Sequence, residues 1–417
     1  MKSVVIFFNA ITSFKSNLSA LEQPDVYTVL FINTDMFGQL SEDQLDFFAK
    51  IHIIDPITFA GTAPLVEHYL HEVTKEELRL VTNDEYCVPI VGKLIDHFAL
   101  PGYGEDTFFR FIDKIIMKNA LNAKGVRTPY HLLFDKEQYN ENKEGYIQHI
   151  EKELKYPFVF KPTSMYGAAS FKKIHNRTEW FSEAEQIVQS DIIFQMEEFI
   201  AGTLFHCDAL IQDSKISFIS ISEYIWPVAF FEEGYPTGSI WLPSADPRWK
   251  QLSDFHQEVI NALQPPDGAT HCELFLTEDN EVVFLEIAAR PSGALVVSMV
   301  EKITGINLEL AHFELRLQRP ISLLQKTVTD FFLFCYIPKK NGTVSSLELP
   351  ELMSSINMDW NIKPGDMITP NPAKEHEILL KSENIAATLV LSNSNFDDLY
   401  QDFHTLKTAE FIKIAEK

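Results

Sequence analysis

Apolar residues recur along this chain with two different periods. Over residues 1–109, short runs dense in β-branched and aromatic residues (SVVIFFNA, VYTVLFIN, IHIIDPI, LRLVTN) alternate with SEDQLDFFAK and APLVEHYLHEVTKEE, whose apolar positions return about every 3.6 residues. Strand and helix in strict alternation predict a small parallel sheet built from βαβ units. From 110 to 318 the runs YPFVFK, DIIFQMEEFIAG, FHCDALI and HCELFLTEDNEVVFLEIAA mix strands and helices in α+β fashion. Residues 319–417 form a smaller α+β piece, with strand-like TVTDFFLFCYI and AATLVLS, the turn-rich IKPGDMITPNP and a final helix. The fold class expected is thus α/β and α+β multidomain, in three parts.

Two local expectations follow. A helix is expected to open near Asp106–Thr107 and to stop at Lys124-Gly125, before Pro129. HCELFL and EVVFLEIA read as a hairpin around TEDNE. With Asp279-Asn280 as a two-residue loop, Glu273 falls directly opposite Glu286. Like charges so placed repel, and that arrangement needs a reason.

Composition narrows the field. At 417 residues the chain is long enough for two or three cores. A formal net charge of -24 argues against nucleic-acid binding, which needs a basic footprint. In so acidic a chain, the cations that sit among apolar residues (Lys114, Lys161, Arg290) mark places where an anion is held. Cys87, Cys207, Cys272 and Cys335 are far apart and lack CxxC spacing, which predicts reduced, buried thiols in a cytoplasmic protein. VVIFF near the start reads as a buried strand rather than a signal peptide, and no run reaches membrane-spanning length. No GxGxxG is present.

Residue by residue, each chemical signal has a plain alternative. Glu273 and Glu286, on one face of the hairpin with His271, suit a divalent cation such as Mg²⁺, with Mn²⁺ as a substitute; the alternative is a solvated outer face. Lys161 ends a buried strand and precedes the small, hydroxyl-rich loop TSMYGAAS, whose backbone could approach phosphate; the alternative is a strand-end lysine reaching water. Lys114 sits in an Arg110–Lys114–Lys118 stripe that alone reads as a solvated helix face.

The order and spacing of these signals resemble the ATP-grasp superfamily. FRFIDKIIMKNALNAKGVRTP resembles its helix with an Asp-Lys pair, YPFVFKPTSMYGAAS its phosphate lysine and flexible loop, MEEFIAG its adenine hinge, and HCELF…VVFLEIAARPSG its metal and γ-phosphate segment. Within it, the carboxylate–amine ligases akin to bacterial L-amino-acid ligases are the nearest group. The resemblance implies a pre-ATP-grasp domain over 1–109, an ATP-grasp domain over 110–318 and a C-terminal domain over 319–417. It implies that Lys114 and Lys161 hold phosphate oxygens, with Ser164, Gly167 and Ser170 in the loop 163–170 acting as a lid. Glu198 and Ile200 would read the adenine edge through their backbones, with Glu197 and Phe199 beside it. Glu273 and Glu286 would bind Mg²⁺, Arg290 would neutralise γ-phosphate or acyl-phosphate charge, and Ser292 and Gly293 would shape the acyl pocket.

Three departures stand out. Ala288 occupies the place of a usual metal-binding Asn. Leu204 occupies that of a ribose-binding Glu, with His206 as a substitute. The loop has a single glycine. The activity implied is ATP-dependent amide formation between a carboxylate and an amine through an acyl phosphate, with 223–249 lining the acceptor pocket or packing between domains. Alternatives are a ligase using bicarbonate or a purine-type nucleophile, a nucleotide-binding regulator without turnover, and a metal-dependent hydrolase built on His271, Glu273 and Glu286. Partners expected are small molecules, neither nucleic acid nor membrane, with a homodimer compatible with the sequence.

Overall fold

The computed structural model describes residues 3–165, 167, 170–371, 380 and 382–415. Strands β1 (Ser3–Asn9), β2 (Val26–Ile32), β3 (Lys50–Ile53) and β4 (Leu78–Thr82) form a parallel sheet in the order β3-β2-β1-β4. Both faces of β1 are buried, which is why SVVIFFN is a continuous apolar run rather than an alternating one. The heavy use of phenylalanine has a visible purpose here. Phe7 makes edge contacts with Phe47, Phe48 and Phe313, the last from a helix of the next region.

A second sheet holds β5 (His131–Leu133), β6 (Phe158–Pro162), β7 (Lys172–Ile174) and β8 (Phe194–Glu198), ordered β5-β8-β6-β7. Period-two alternation gives it two unlike faces. Phe158, Phe160, Phe194 and Met196 pack with Trp180 and three helices. Val159, Lys161, Gln195 and Glu197 alternate with them on the opposite face.

The third sheet is the frame of the molecule. It contains β9 (Gly202–Gln212), β10 (Lys215–Tyr224), β11 (Thr237–Trp241), β12 (Gly268–Thr277), β13 (Val282–Ala288) and β14 (Phe331–Pro338). After β15 (Gly342–Leu347), β16 (Ser355–Trp360), β17 (Met367–Ile368), β18 (Ile385–Asn393) and β19 (Ile412–Ile414), its full order is β13-β12-β9-β10-β11-β14-β18-β16. The sheet therefore runs across the junction expected at 318/319: β14, β18 and β16 extend it, and only β15, β17 and β19 form a small sheet apart. One face packs on the helix Trp249–Leu263 through Leu252, Val259, Ile260 and Leu263, spaced for one helical stripe. Each such side chain contributes about 1.5–3 kcal/mol on burial. The other face carries His206, Asp208, His271, Glu273 and Glu286.

The helix expected from Asp106 to Lys124 is two helices, Glu105–Phe109 and Lys114–Asn122. Between them Phe111 turns into the core, and Asp113 caps the second helix by accepting from the amides of Ile115 and Ile116. The four cysteines are buried and free. No helix among the described residues is long and apolar enough to cross a membrane.

Candidate functional site

The hairpin sets Glu273 opposite Glu286 and His271 opposite Ala288. The loop, however, spans three residues: Thr277 N donates to Glu281 O, and Asn280 takes a left-handed φ of 63°. From there Leu276 pairs Val282 and Leu274 pairs Phe284, so Leu285 is left over as a bulge before Glu286. The bulge restores the register that the longer loop shifts.

Each glutamate has its own surroundings. Glu273 Oε1 accepts from the Tyr224 hydroxyl at 2.7 Å and lies 3.7 Å from His271 Nε2. Burial opposes its ionisation, but His271 and Tyr224 outweigh that and hold its carboxyl below the ordinary range. Glu286 Oε2 lies 3.2 Å from Lys114 Nζ. Lys114 is also stitched to the loop after β6: its amide donates to Thr163 O and its Nζ to Met165 O, at 2.8 and 2.5 Å. Burial works against its charge; Glu286 and Glu85 more than compensate and raise its pKa.

Behind Lys114 lies a buried triad. Glu197 accepts from Lys118 with one oxygen and from Lys161 with the other. Burial pushes the Glu197 carboxyl up, but the two ammonium groups prevail and hold it at about 2. Lys118 is pushed down to about 8 by burial, with Lys161 and Lys114 adding to the effect and Glu197 opposing it. Lys118 was expected on a solvated stripe. It is fully buried because the β5–β8 sheet closes over that face of its helix. The Glu197 side chain correspondingly pairs the lysines rather than lying beside a ring.

Arg290 gives Nε and Nη2 to Glu85 Oε2, at 2.8 and 2.5 Å. Glu85 follows β4, so the N-terminal sheet supplies one wall of the cleft. Its neighbour Asp84 is buried and accepts from the amides of Ala10, Ile11, Thr12 and Tyr86, which fixes the loop that carries Glu85. The seam is also held by His312, which accepts from Ala269 N and donates to Thr82 O.

Similarity to known proteins agrees with this layout. The model of the D-ala D-ala ligase C-terminus matches residues 120–307. The L-arginine-specific L-amino acid ligase of Bacillus subtilis is 24% identical over 311 residues, covering 72% of this chain and 73% of that one. The D-alanine–D-alanine ligase of Natranaerobius thermophilus is 25% identical over 266 residues, covering 62% and 67%. In structure, the L-amino acid ligase from Bacillus licheniformis superposes with a TM-score of 0.69 over 100% of this chain and 99% of that one, at 16% identity. Residues 120–307 are thus similar to the D-ala D-ala ligase C-terminus, and the whole chain shares the fold of an L-amino acid ligase.

The remaining expected residues lie as follows. Ile200 is buried, and Lys173 Nζ sits 3.8 Å over the Phe199 ring. The Glu198 side chain is taken by Arg127 and Tyr130 N, which anchors the strand end. Ser164 is exposed, Gly167 and Ser170 adopt φ of 63° and 55°, and Tyr166, Ala168 and Ala169 of the expected lid lie outside the described residues. Ser292 is buried with no partner for its hydroxyl among the described residues, and a Cβ on Gly293 would meet nothing within 4 Å, so Gly293 borders open space.

His206 requires a correction. It is fully buried; its Nδ1 donates to Asp208 and its Nε2 accepts from Ser239, at 2.6 and 2.9 Å. Both ring nitrogens are used, and none is left for a ribose. Within 223–249, Trp226 packs against Tyr235 with the rings tilted and donates to Lys407 O, which favours packing for that part of the segment. Lys118, Glu85, Tyr224 and Asp208 are the residues that sequence reasoning missed. Lys118 had a signal in its i,i+4 spacing from Lys114. Glu85, in the NDE that follows β4, had only its strand-end position.

Proposed function

We propose that this chain is an ATP-grasp ligase that activates the carboxylate of one amino acid as an acyl phosphate and joins it to the amine of another, releasing ADP and phosphate. The observation that carries the reading is the facing Glu273–Glu286 pair beside three buried lysines, with Arg290 one turn of chain beyond. Two opposed carboxylates on one face of the hairpin are a donor set that fits Mg²⁺ or Mn²⁺. When bound, such a cation spreads the charge of the phosphate oxygens.

The chain's own residues do the rest. Lys161 and Lys114 hold phosphate oxygens, and Lys118 stays behind as the partner of Glu197. Arg290 faces the group in transfer, oriented by Glu85. The substrate carboxylate attacks the γ-phosphorus and ADP leaves; the amine then attacks the acyl carbon and phosphate leaves. The loop 163–170 excludes water, which would hydrolyse the acyl phosphate. Ser292 and Gly293 border the acyl pocket. The sequence relatives favour an amino-acid amine over bicarbonate or a purine intermediate as nucleophile.

The test is release of ADP and phosphate with Mg-ATP across single amino acids and amino-acid pairs. Turnover that requires a pair and drops at least ~100-fold in Glu286→Gln is expected. Undiminished Mg²⁺-dependent turnover in Glu286→Gln would sink the assignment of that residue.

A further inference from the structure

The polar face of the large sheet contains a hydrogen-bonded line that the reaction outlined above leaves unused. Ser239 donates to His206, His206 donates to one oxygen of Asp208, and the other Asp208 oxygen accepts from His271 Nδ1 at 2.8 Å. Asp208 is fully buried. Its carboxylate is held well ionised by the two imidazoles, against the effect of burial.

This line fixes one detail of His271. Since Asp208 can only accept, Nδ1 carries the hydrogen, and Nε2 is the ring atom turned toward the cleft, 3.7 Å from Glu273 Oε1. A carboxylate behind the far nitrogen of an imidazole is the support that metal-binding histidines ordinarily have. Two ligands at right angles on one small divalent cation sit about 3 Å apart, which a slight turn of either side chain reaches. Directly across the strand pair stands Ala288, which offers no donor atom. His271 Nε2 and Glu273 approach each other on this face, and Glu286 stands opposite Glu273 across the strand pair. His206, by contrast, has no ring nitrogen left.

We propose that His271 is a third protein ligand, through Nε2, of the divalent cation that Glu273 and Glu286 hold, with Asp208 as its positioning residue. The inference rests on the reading of that glutamate pair as a cation site. A nitrogen ligand shifts preference away from all-oxygen Mg²⁺ coordination toward Mn²⁺ and Co²⁺.

The deciding measurement uses the full chain with its histidines labelled with ¹⁵N, loaded with Mn²⁺ and ADP, and read by pulsed electron paramagnetic resonance. The label separates histidine nitrogen from the adenine nitrogens. Coupling to one ¹⁵N imidazole is expected. In His271→Gln that coupling disappears. Asp208→Asn weakens Mn²⁺ binding about 10–100-fold, the usual effect of losing such a supporting partner. Mn²⁺ bound with ADP but without histidine coupling in the labelled wild type would overturn the ligand assignment and leave the glutamate site standing. Absence of any Mn²⁺–ADP complex would overturn both. Because the coupling is read in the unsubstituted protein, a variant that fails to fold does not blur the answer.

Discussion

Replacing Glu197 by Gln tests whether the buried triad is ionic. The substitution keeps shape but leaves the Lys118 and Lys161 ammonium groups facing one another with no anion between them. Two routes give the cost. Removing one partner of a buried ion pair costs about 3–5 kcal/mol. Independently, depression of the Glu197 carboxyl from 4.5 to about 2 corresponds to about 3 kcal/mol of stabilisation. The sign follows from proton binding: a carboxylate whose folded pKa is depressed stabilises fully above its ordinary value of 4.5, and that contribution is lost as pH falls toward 2. The assay is urea unfolding of both proteins at pH 7 and at steps down to pH 3, followed by near-ultraviolet circular dichroism. Glu197→Gln is expected to lose about 3 kcal/mol or more at pH 7, and the gap to narrow below pH 4.5. ADP is expected to stabilise the variant more than the wild type, because its phosphates replace the missing charge. A pH-independent gap, or no gap, would refute the ionic triad.

Two further outcomes are expected. Arg290→Lys keeps a charge but loses the two-nitrogen contact to Glu85; kcat is expected to fall about 10²–10³-fold while ADP affinity by calorimetry stays within about twofold, and equal losses in both would show that Arg290 only binds nucleotide. His312 accepts from Ala269 N and is therefore neutral; burial, with Arg316, lowers its pKa from 6.5 to about 3. The unfolded chain thus takes up a proton first, and stability falls as pH drops below 6.5, at up to about 1.4 kcal/mol per unit, a slope that His312→Gln is expected to remove in urea midpoints measured from pH 7 to 4.

The hairpin shows how far the sequence could be read and where it misled. Alternation placed Glu273 and Glu286 on one face, and they do face each other. The two-residue loop expected from the sequence is one residue too short and leaves no place for the Leu285 bulge; the two differences cancel at the glutamates and nowhere nearer the turn. Strand period is a local property and legible. Bulges answer to neighbouring strands and are not. Lys118 failed for a related reason. Its helical spacing was seen, but whether that face meets water depends on a sheet that begins thirteen residues later. The break at 110–113 left a trace in Asp113, a good capping residue, which the apolar run FFRFID obscured. Glu85 lies two hundred residues from Arg290, and only the packed seam around Phe313, His312 and Asp84 brings them together.

Charge balance in the cleft ties these observations to one another. A chain of net charge -24 cannot leave cations bare in a low-dielectric cleft without attracting its own carboxylates. Lys114 rests on Glu286, Lys118 and Lys161 share Glu197, and Arg290 rests on Glu85. These pairs are unequal. Glu197 is sealed off, so its lysines are fixed in place, and with two ammonium groups on one carboxylate the triad retains a positive charge. Glu286 is a third exposed, and its pair with Lys114 is the one a ligand can open. On the proposed reading, a nucleotide arriving with its divalent cation supplies both replacements together: phosphate for Lys114 and metal for Glu286. Neither charge is stranded during the exchange, and the two facing glutamates, unfavourable on their own, become the reason the cation binds.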